Sequence, residues 1–183
     1  EFPRWYGTTT TLGDGRVLVV SGDMPGGGRA NIPEVYDPIA DEWTTYPAIS
    51  EKDLGLYPFM FVLPNGKVYN AGTKKNTFYF DTDTGAWSNG PSNSFGSSGY
   101  AESGAMYEPG KIIRSGGGDP AYASAAIIDT TVPNPKWTLT EPMKYPRRRH
   151  NMVILADGQV MAIGGTRTGD DLSGAVYAGE IWN

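Results

Sequence analysis

The 183-residue chain contains no cysteine and one histidine, His150. The first absence excludes disulfides and any thiolate metal site built from this chain alone. The second excludes a zinc site of the usual three-ligand His/Cys type. A Ser-His-Asp triad stays arithmetically open, but no Gly-x-Ser-x-Gly elbow leads into a helix. Long apolar runs are missing, so no stretch is long enough to span a membrane as a helix. No signal-peptide pattern opens the chain, because Glu1-Phe2-Pro3 runs straight toward a strand. No Asn-x-Ser/Thr acceptor is present; Asn76 and Asn93 lack the required second neighbour. Convincing amphipathic helices are absent too. Positive charge is scarce, with 15 Lys and Arg against 20 Asp and Glu, for a net charge of -5. That balance argues against nucleic acid or an anionic membrane as partner.

What the chain has in quantity is glycine (25), proline (14) and aromatics (12%). With Val, Tyr, Thr and Trp these indicate many short strands and tight turns. One unit recurs four times: a turn glycine, an apolar strand, then glycine again. Its copies are Asp14-Gly15-Arg16-Val17-Leu18-Val19-Val20-Ser21-Gly22, then Asn65-Gly66-Lys67-Val68-Tyr69-Asn70-Ala71-Gly72. Pro109-Gly110-Lys111-Ile112-Ile113-Arg114-Ser115-Gly116-Gly117 follows, then Asp157-Gly158-Gln159-Val160-Met161-Ala162-Ile163-Gly164-Gly165. The turn glycines are 51, 44 and 48 residues apart. Such a period with glycine closing an apolar strand is the sign of kelch-type propeller blades. The expected fold is all-β: a partial propeller of about four blades of four antiparallel strands, the last incomplete. The blades are expected at about 3–50, 51–100, 101–143 and 144–183.

Within the first blade, Trp5 to Leu12 reads as a strand turned back at Asp14-Gly15, followed by strands at Arg16–Val20 and Glu34–Asp37 and a fourth headed by Trp43. The spacing of six from Asp37 to Trp43 repeats from Asp81 to Trp87. Trp43, Trp87 and Trp137 are therefore expected to be buried between sheets. Ser88 to Tyr100 reads as a long rim or flexible loop. Ile181-Trp182-Asn183 aligns with Val35-Tyr36-Asp37, so the last blade lacks its fourth strand and the chain reads as a piece of a larger propeller. The glycine pairs end strands rather than open helices, which excludes a dinucleotide loop. Asp23, Asp37, Asp81, Asp119, Asp129, Asp170 and Asp171 read as turn residues capping local backbone. Pro146-Arg147-Arg148-Arg149-His150, the only basic cluster, reads as a blade entry with solvated or channel-facing arginines. Arg4-Trp5-Tyr6 opens the first strand of its blade, at the axial mouth where propellers place their sites. Tyr57, Tyr107 and His150 lie in or near the first strands of the later blades. Strand residues alternate faces, so Trp5 and Tyr6 are expected to point opposite ways.

Pro3-Arg4-Trp5-Tyr6, Thr8 to Leu12, Glu34-Val35-Tyr36-Asp37-Pro38, Tyr57-Pro58 to Gly66, Ser103 to Gly118, Pro146 to Gly165 and Glu180-Ile181-Trp182 together resemble the galactose oxidase and glyoxal oxidase family of copper radical oxidases. The resemblance covers nearly the whole chain and is nearest to bacterial galactose-oxidase-like kelch proteins. It implies oxidation of a primary alcohol or aldehyde with reduction of oxygen to peroxide. It also implies that Tyr6 is the redox tyrosine and a copper ligand, bonded to a cysteine that would have to come from outside this chain. Other copper ligands, a Tyr-His pair and a further His, are likewise absent here. Tyr122, in Gly118-Asp119-Pro120-Ala121-Tyr122, falls where the family has a tyrosine near the copper pocket. Tyr122 and Tyr57 are the candidate substrate-binding residues. Met24 stands near the place of a tryptophan that shields the radical, and His150 matches a histidine that binds no copper. The resemblance implies an extracellular or cell-surface location. The expected partners are the remaining blades or other copies of the chain, and a carbohydrate or small alcohol or aldehyde. The chain alone is expected to be inactive. The alternative is a propeller that keeps the fold without catalysis and serves carbohydrate or protein binding or a structural role.

Overall fold

The strands follow from local chemistry repeated along the chain. In the computed structural model, which describes residues 1–95 and 101–183, β1 (Thr8–Thr11) is a run of four β-branched residues. It turns through Leu12-Gly13-Asp14-Gly15-Arg16 into the apolar β2 (Val17–Val20). Asp14 Oδ1 accepts from the Arg16 amide at 3.0 Å, and Leu12 N donates to Arg16 O at 2.7 Å. Gly15 holds φ +89°, a left-handed value that admits glycine at little cost. The same turn recurs at Asn65-Gly66 and Asp157-Gly158, where Leu63 N and Leu155 N each reach the carbonyl four residues on at 2.8 Å.

The fold is all-β, part of a β-propeller, and its four sheets are antiparallel throughout. The first unit, Glu1–Gly90, holds two four-stranded sheets. The sheet β1-β2-β3-β4 includes β3 (Glu34–Asp37) and β4 (Glu42–Thr45). The next runs β5 (Phe59–Val62), β6 (Val68–Gly72), β7 (Phe78–Phe80) and β8 (Trp87–Asn89). The first strands of the two sheets, β1 and β5, approach each other. Their shared core includes Leu18, Val20, Val35, Met60, Val68 and Phe80, with Trp87 packed at its side.

The second unit, Pro91–Asn183, repeats the plan with β9 (Glu102–Glu108), β10 (Lys111–Gly116), β11 (Ala125–Asp129) and β12 (Thr138–Thr140). Its other sheet has three strands, β13 (Asn151–Ile154), β14 (Val160–Ile163) and β15 (Glu180–Trp182). Again the first strands, β9 and β13, are neighbours. Ala105, Ile113, Ala125 and Val160 form the core between them, flanked by Met152 and Trp182. Two short 3-10 turns, Ala48–Ser50 and Leu172–Gly174, are the only helical segments among the described residues. No described helix is long and apolar enough to cross a membrane.

Three expectations need correction. Trp137 is buried (6% exposed), and Trp87 is partly buried with its indole donating to Ser50 O at 2.8 Å, but Trp43 is 54% exposed. Trp43 sits on β4, an edge strand, and packs on its cross-strand neighbour Tyr36, ring centroids 5.1 Å apart. The strand expected from Trp5 begins only at Thr8. The expected loop Ser88 to Tyr100 is in part strand, since Ser88 and Asn89 belong to β8; residues 96–100 lie outside the described residues.

Candidate functional site

The first unit builds its site from the segment just before β1. Arg4 is drawn inside, where its guanidinium donates to Ser21 O and Ala30 O at 2.8 Å, to Ile32 O at 2.6 Å and to Glu34 Oε2 at 2.7 Å. Burial raises the Glu34 carboxyl, yet hydrogen bonds from the amino terminus and Arg4 hold it below the ordinary glutamate range overall. This clip ties the chain entering β1 to the start of β3. A side chain at Gly22, itself at φ +103°, would sit 2.8 Å from Arg4 Cβ, so the close approach requires glycine there. Trp5 then pairs with Asp23 through two backbone hydrogen bonds of 2.9 and 2.8 Å.

Tyr6 follows at φ 64°, a left-handed value that costs a bulky residue on the order of 1–3 kcal/mol. The kink cancels strand alternation. Trp5 and Tyr6, expected on opposite faces, instead stack with centroids 3.5 Å apart and planes 26° apart. Tyr57 occupies the same position before β5, two residues ahead of the strand, and also has a left-handed φ of 50°. Its amide donates to Tyr6 O at 3.2 Å and its ring lies 4.7 Å from that of Tyr6. The structure thus brings two of the three expected site residues into one exposed aromatic row, Trp5-Tyr6-Tyr57. Beside it, Pro3, Arg4, Trp5, Asp23, Met24 and Pro25 line an open cleft of about 430 Å³.

Tyr122, the third, belongs to the second unit. Its amide donates to Gly117 O at 2.7 Å, its carbonyl accepts from Arg147 N at 3.2 Å, and its ring is exposed. The ring lies over Gly118, at φ +82°, where a Cβ would come within 2.7 Å of it.

Two of the three arginines of the basic cluster, Arg147 and Arg148, are buried and not solvated, while Arg149 is exposed. Arg147 is fully buried and repeats the Arg4 clip: it donates to Gly164 O at 3.1 Å, Ala178 O at 2.9 Å and Glu180 Oε2 at 2.5 Å. Arg148 is buried and pairs with Asp119, while Arg149, at φ 53°, pairs with Asp170 at 3.0 Å. Asp119 and Asp170 are therefore more than turn residues, whereas Asp37, Asp81, Asp129 and Asp171 do accept from amides two residues on. Sequence reasoning missed both clips. The signal was present, because Pro3-Arg4 and Pro146-Arg147 each precede their strand by the same interval and face Glu34-Val35-Tyr36 and Glu180-Ile181-Trp182. His150 is buried, with Nε2 at 2.9 Å from Ser115 Oγ. Burial, and then the nearby Arg147 charge, push it down to about 4, so it is neutral at pH 7.

Tyr6 supplies one phenol oxygen, and its ring packs against those of Trp5 and Tyr57. No group of three or more His, Cys, Asp or Glu side chains gathers among the described residues. Copper(II) favours several imidazole or thiolate donors. The donors of this chain do not by themselves fit a copper ion.

No family model matches the chain. It is 30% identical to aldehyde oxidase GLOX of Vitis pseudoreticulata over 92% of its length, which is 36% of that protein. To galactose oxidase of Gibberella zeae it is 29% identical over its full length, 31% of that protein. The chain thus spans about a third of the length of these curated relatives. In fold it matches a fungal alcohol oxidase solved in complex with copper, with a TM-score of 0.80 and 25% identity over the whole chain and 42% of the neighbour.

Proposed function

We propose a function from the premise that the chain is a galactose oxidase- and glyoxal oxidase-like propeller segment: it contributes the redox tyrosine to an extracellular or cell-surface copper-dependent oxidase. In this reading a primary alcohol is converted to an aldehyde, or an aldehyde is oxidised further, while oxygen is reduced to hydrogen peroxide. Tyr6 is the redox phenol and the one metal-facing residue of this chain. Tyr57, beside Tyr6 in the aromatic row, contacts the substrate. The cysteine partner of Tyr6 and the other copper ligands come from blades outside this chain, so this chain alone is inactive. The observation that carries the reading is the Trp5-Tyr6-Tyr57 row, built on two left-handed tyrosines and exposed to ligand. Backbone strain of this kind collects at functional sites.

A second reading draws on the same row. Exposed stacked aromatics suit a non-catalytic platform for the apolar face of a sugar. One variant separates the two. In the copper-loaded polypeptide that carries this segment with its flanking blades, Tyr6→Phe should cut peroxide release from primary alcohols and aldehydes by more than about 1,000-fold, as loss of an essential reacting group does. Sugar binding by a platform would survive that change, since the ring remains, and would be lost in Trp5→Ala. Retained turnover in Tyr6→Phe removes the oxidase role from Tyr6.

A further inference from the structure

We propose that Asp53 is the positioning residue that holds the aromatic row together, an ionic clasp joining the loops that carry Trp5 and Tyr57. Its carboxylate has three partners: Gly55 N at 2.9 Å, Arg29 Nη1 at 2.9 Å and Lys74 Nζ at 2.8 Å. The Lys74 hydrogen bond, with the Gly55 amide and Arg29, outweighs burial and holds the carboxyl far below the ordinary aspartate range, so it stays charged.

Each contact leads to a ring. Gly55 is buried at φ +79°, its carbonyl accepts from Ser21 Oγ, and it lies two residues before Tyr57. The intervening Leu56 carbonyl accepts from Thr73 Oγ1 at 3.2 Å, next to Lys74. On the other side, Arg29 spans from Asp53 to Asp23 Oδ1 at 3.3 Å, and Asp23 is the backbone partner of Trp5. The clasp therefore pulls the Trp5 loop and the Tyr57 loop toward one carboxylate, with Tyr6 between the two rings. Strained tyrosines need such over-determination, because each would relax to an extended φ if its loop were free. Asp53 itself is half exposed and its carboxylate is engaged by Gly55 N, Arg29 and Lys74, so its role is to position the rings and not to react.

The assignment deepens the oxidase reading, but its test is optical and uses this chain alone. The near-ultraviolet ellipticity of the row is defined as the difference between wild type and Trp5→Phe. Asp53→Ala should remove at least about half of that band. Asp53→Asn, which keeps an acceptor for Gly55 N but no charge for Arg29 and Lys74, should fall between. Salt at 1 M, where charges are screened beyond about 3 Å, should move wild type toward Asp53→Asn and leave Asp53→Ala unchanged. Asp83→Ala, at an exposed aspartate outside the clasp, should leave the band intact. Should Asp53→Ala fail to fold, Asp53→Asn and the salt titration decide. A band unchanged in both folded variants, or insensitive to salt in wild type, overturns the clasp. A wild-type polypeptide without oxidase activity defeats the proposed function and leaves this result standing.

Discussion

The two units solve the entry to a blade in the same way and put different chemistry on it. In both, a buried arginine four residues ahead of the first strand grips carbonyls of the neighbouring loop and the glutamate that opens the third strand. The pairs are Arg4 with Glu34 and Arg147 with Glu180. In both, the residue two positions after that arginine is left-handed. The first unit places Tyr6 there and stacks it between aromatics, whereas the second places Arg149 and neutralises it with Asp170. The scaffold is therefore shared and the function is local. The clip sets the kink, and the residue at the kink decides what the mouth of the blade offers. In the second unit the next residue, His150, is pulled inward instead, onto Ser115.

If the clips are equivalent, breaking either should have the largest effect on stability. Arg147→Met leaves Glu180 without its guanidinium and should cost about 3–5 kcal/mol, the range for removing one partner of a buried pair. Arg147→Met combined with Glu180→Leu should recover most of that loss, since an apolar pair leaves no orphaned charge. The same single and double changes at Arg4 and Glu34 should give the same pattern in urea unfolding. A double variant no better than its single would show that the carbonyl contacts, and not the ion pair, do the holding.

The next effect separates the units by pH. His150 is the sole histidine and lies in the second unit. Burial holds its folded pKa at about 4, below the 6.5 of a free imidazole. Between those values the unfolded chain binds a proton that the native state refuses, so the contribution is complete above about pH 6.5 and is lost as pH falls through 4. The shift corresponds to roughly 3 kcal/mol. Urea unfolding at pH 7, 5.5 and 4.5 should show the second unit weakening first, and His150→Gln should flatten that slope. Equal slopes in the two variants would mean that His150 titrates freely in the folded state.

How much of this could be read beforehand follows from the range of each interaction. The turns were legible because Asp14-Gly15, Asn65-Gly66 and Asp157-Gly158 settle their conformation within five residues, and the spacing of these turns exposed the repeat. The place of Tyr6 and Tyr57 at the strand entries was legible from the repeat. Their stacking was not. It depends on a left-handed backbone at a non-glycine residue, Tyr6, which is imposed by Arg4, Gly22 and Asp53 from 2 to 47 residues away. Nor was the burial of Arg147 and Arg148, because a run of three arginines reads as a solvated face until the acceptors are known. The clasp at Asp53 was hidden for the same reason: Arg29 and Lys74 lie 24 and 21 residues from it.

The smallest expected effect tests the other comparison, among tryptophans at like positions in successive sheets. Trp43 lies opposite Tyr36, and Trp87 lies opposite Phe80, so their registers are the same. Their surroundings differ. Trp87 packs on Phe80 at 4.5 Å and on Phe78, and its indole N–H is hydrogen-bonded, whereas Trp43 rests on Tyr36 with more than half its surface in water. A side chain contributes in proportion to the apolar area it removes from water, about 25 cal/mol per Å², and deleting an exposed ring opens no cavity. Trp43→Ala should therefore cost only about 2 kcal/mol in urea unfolding of this chain. A loss above about 3 kcal/mol would place the ring in a packed interface like that of the buried tryptophans, and would restore the equivalence that the repeat alone suggests.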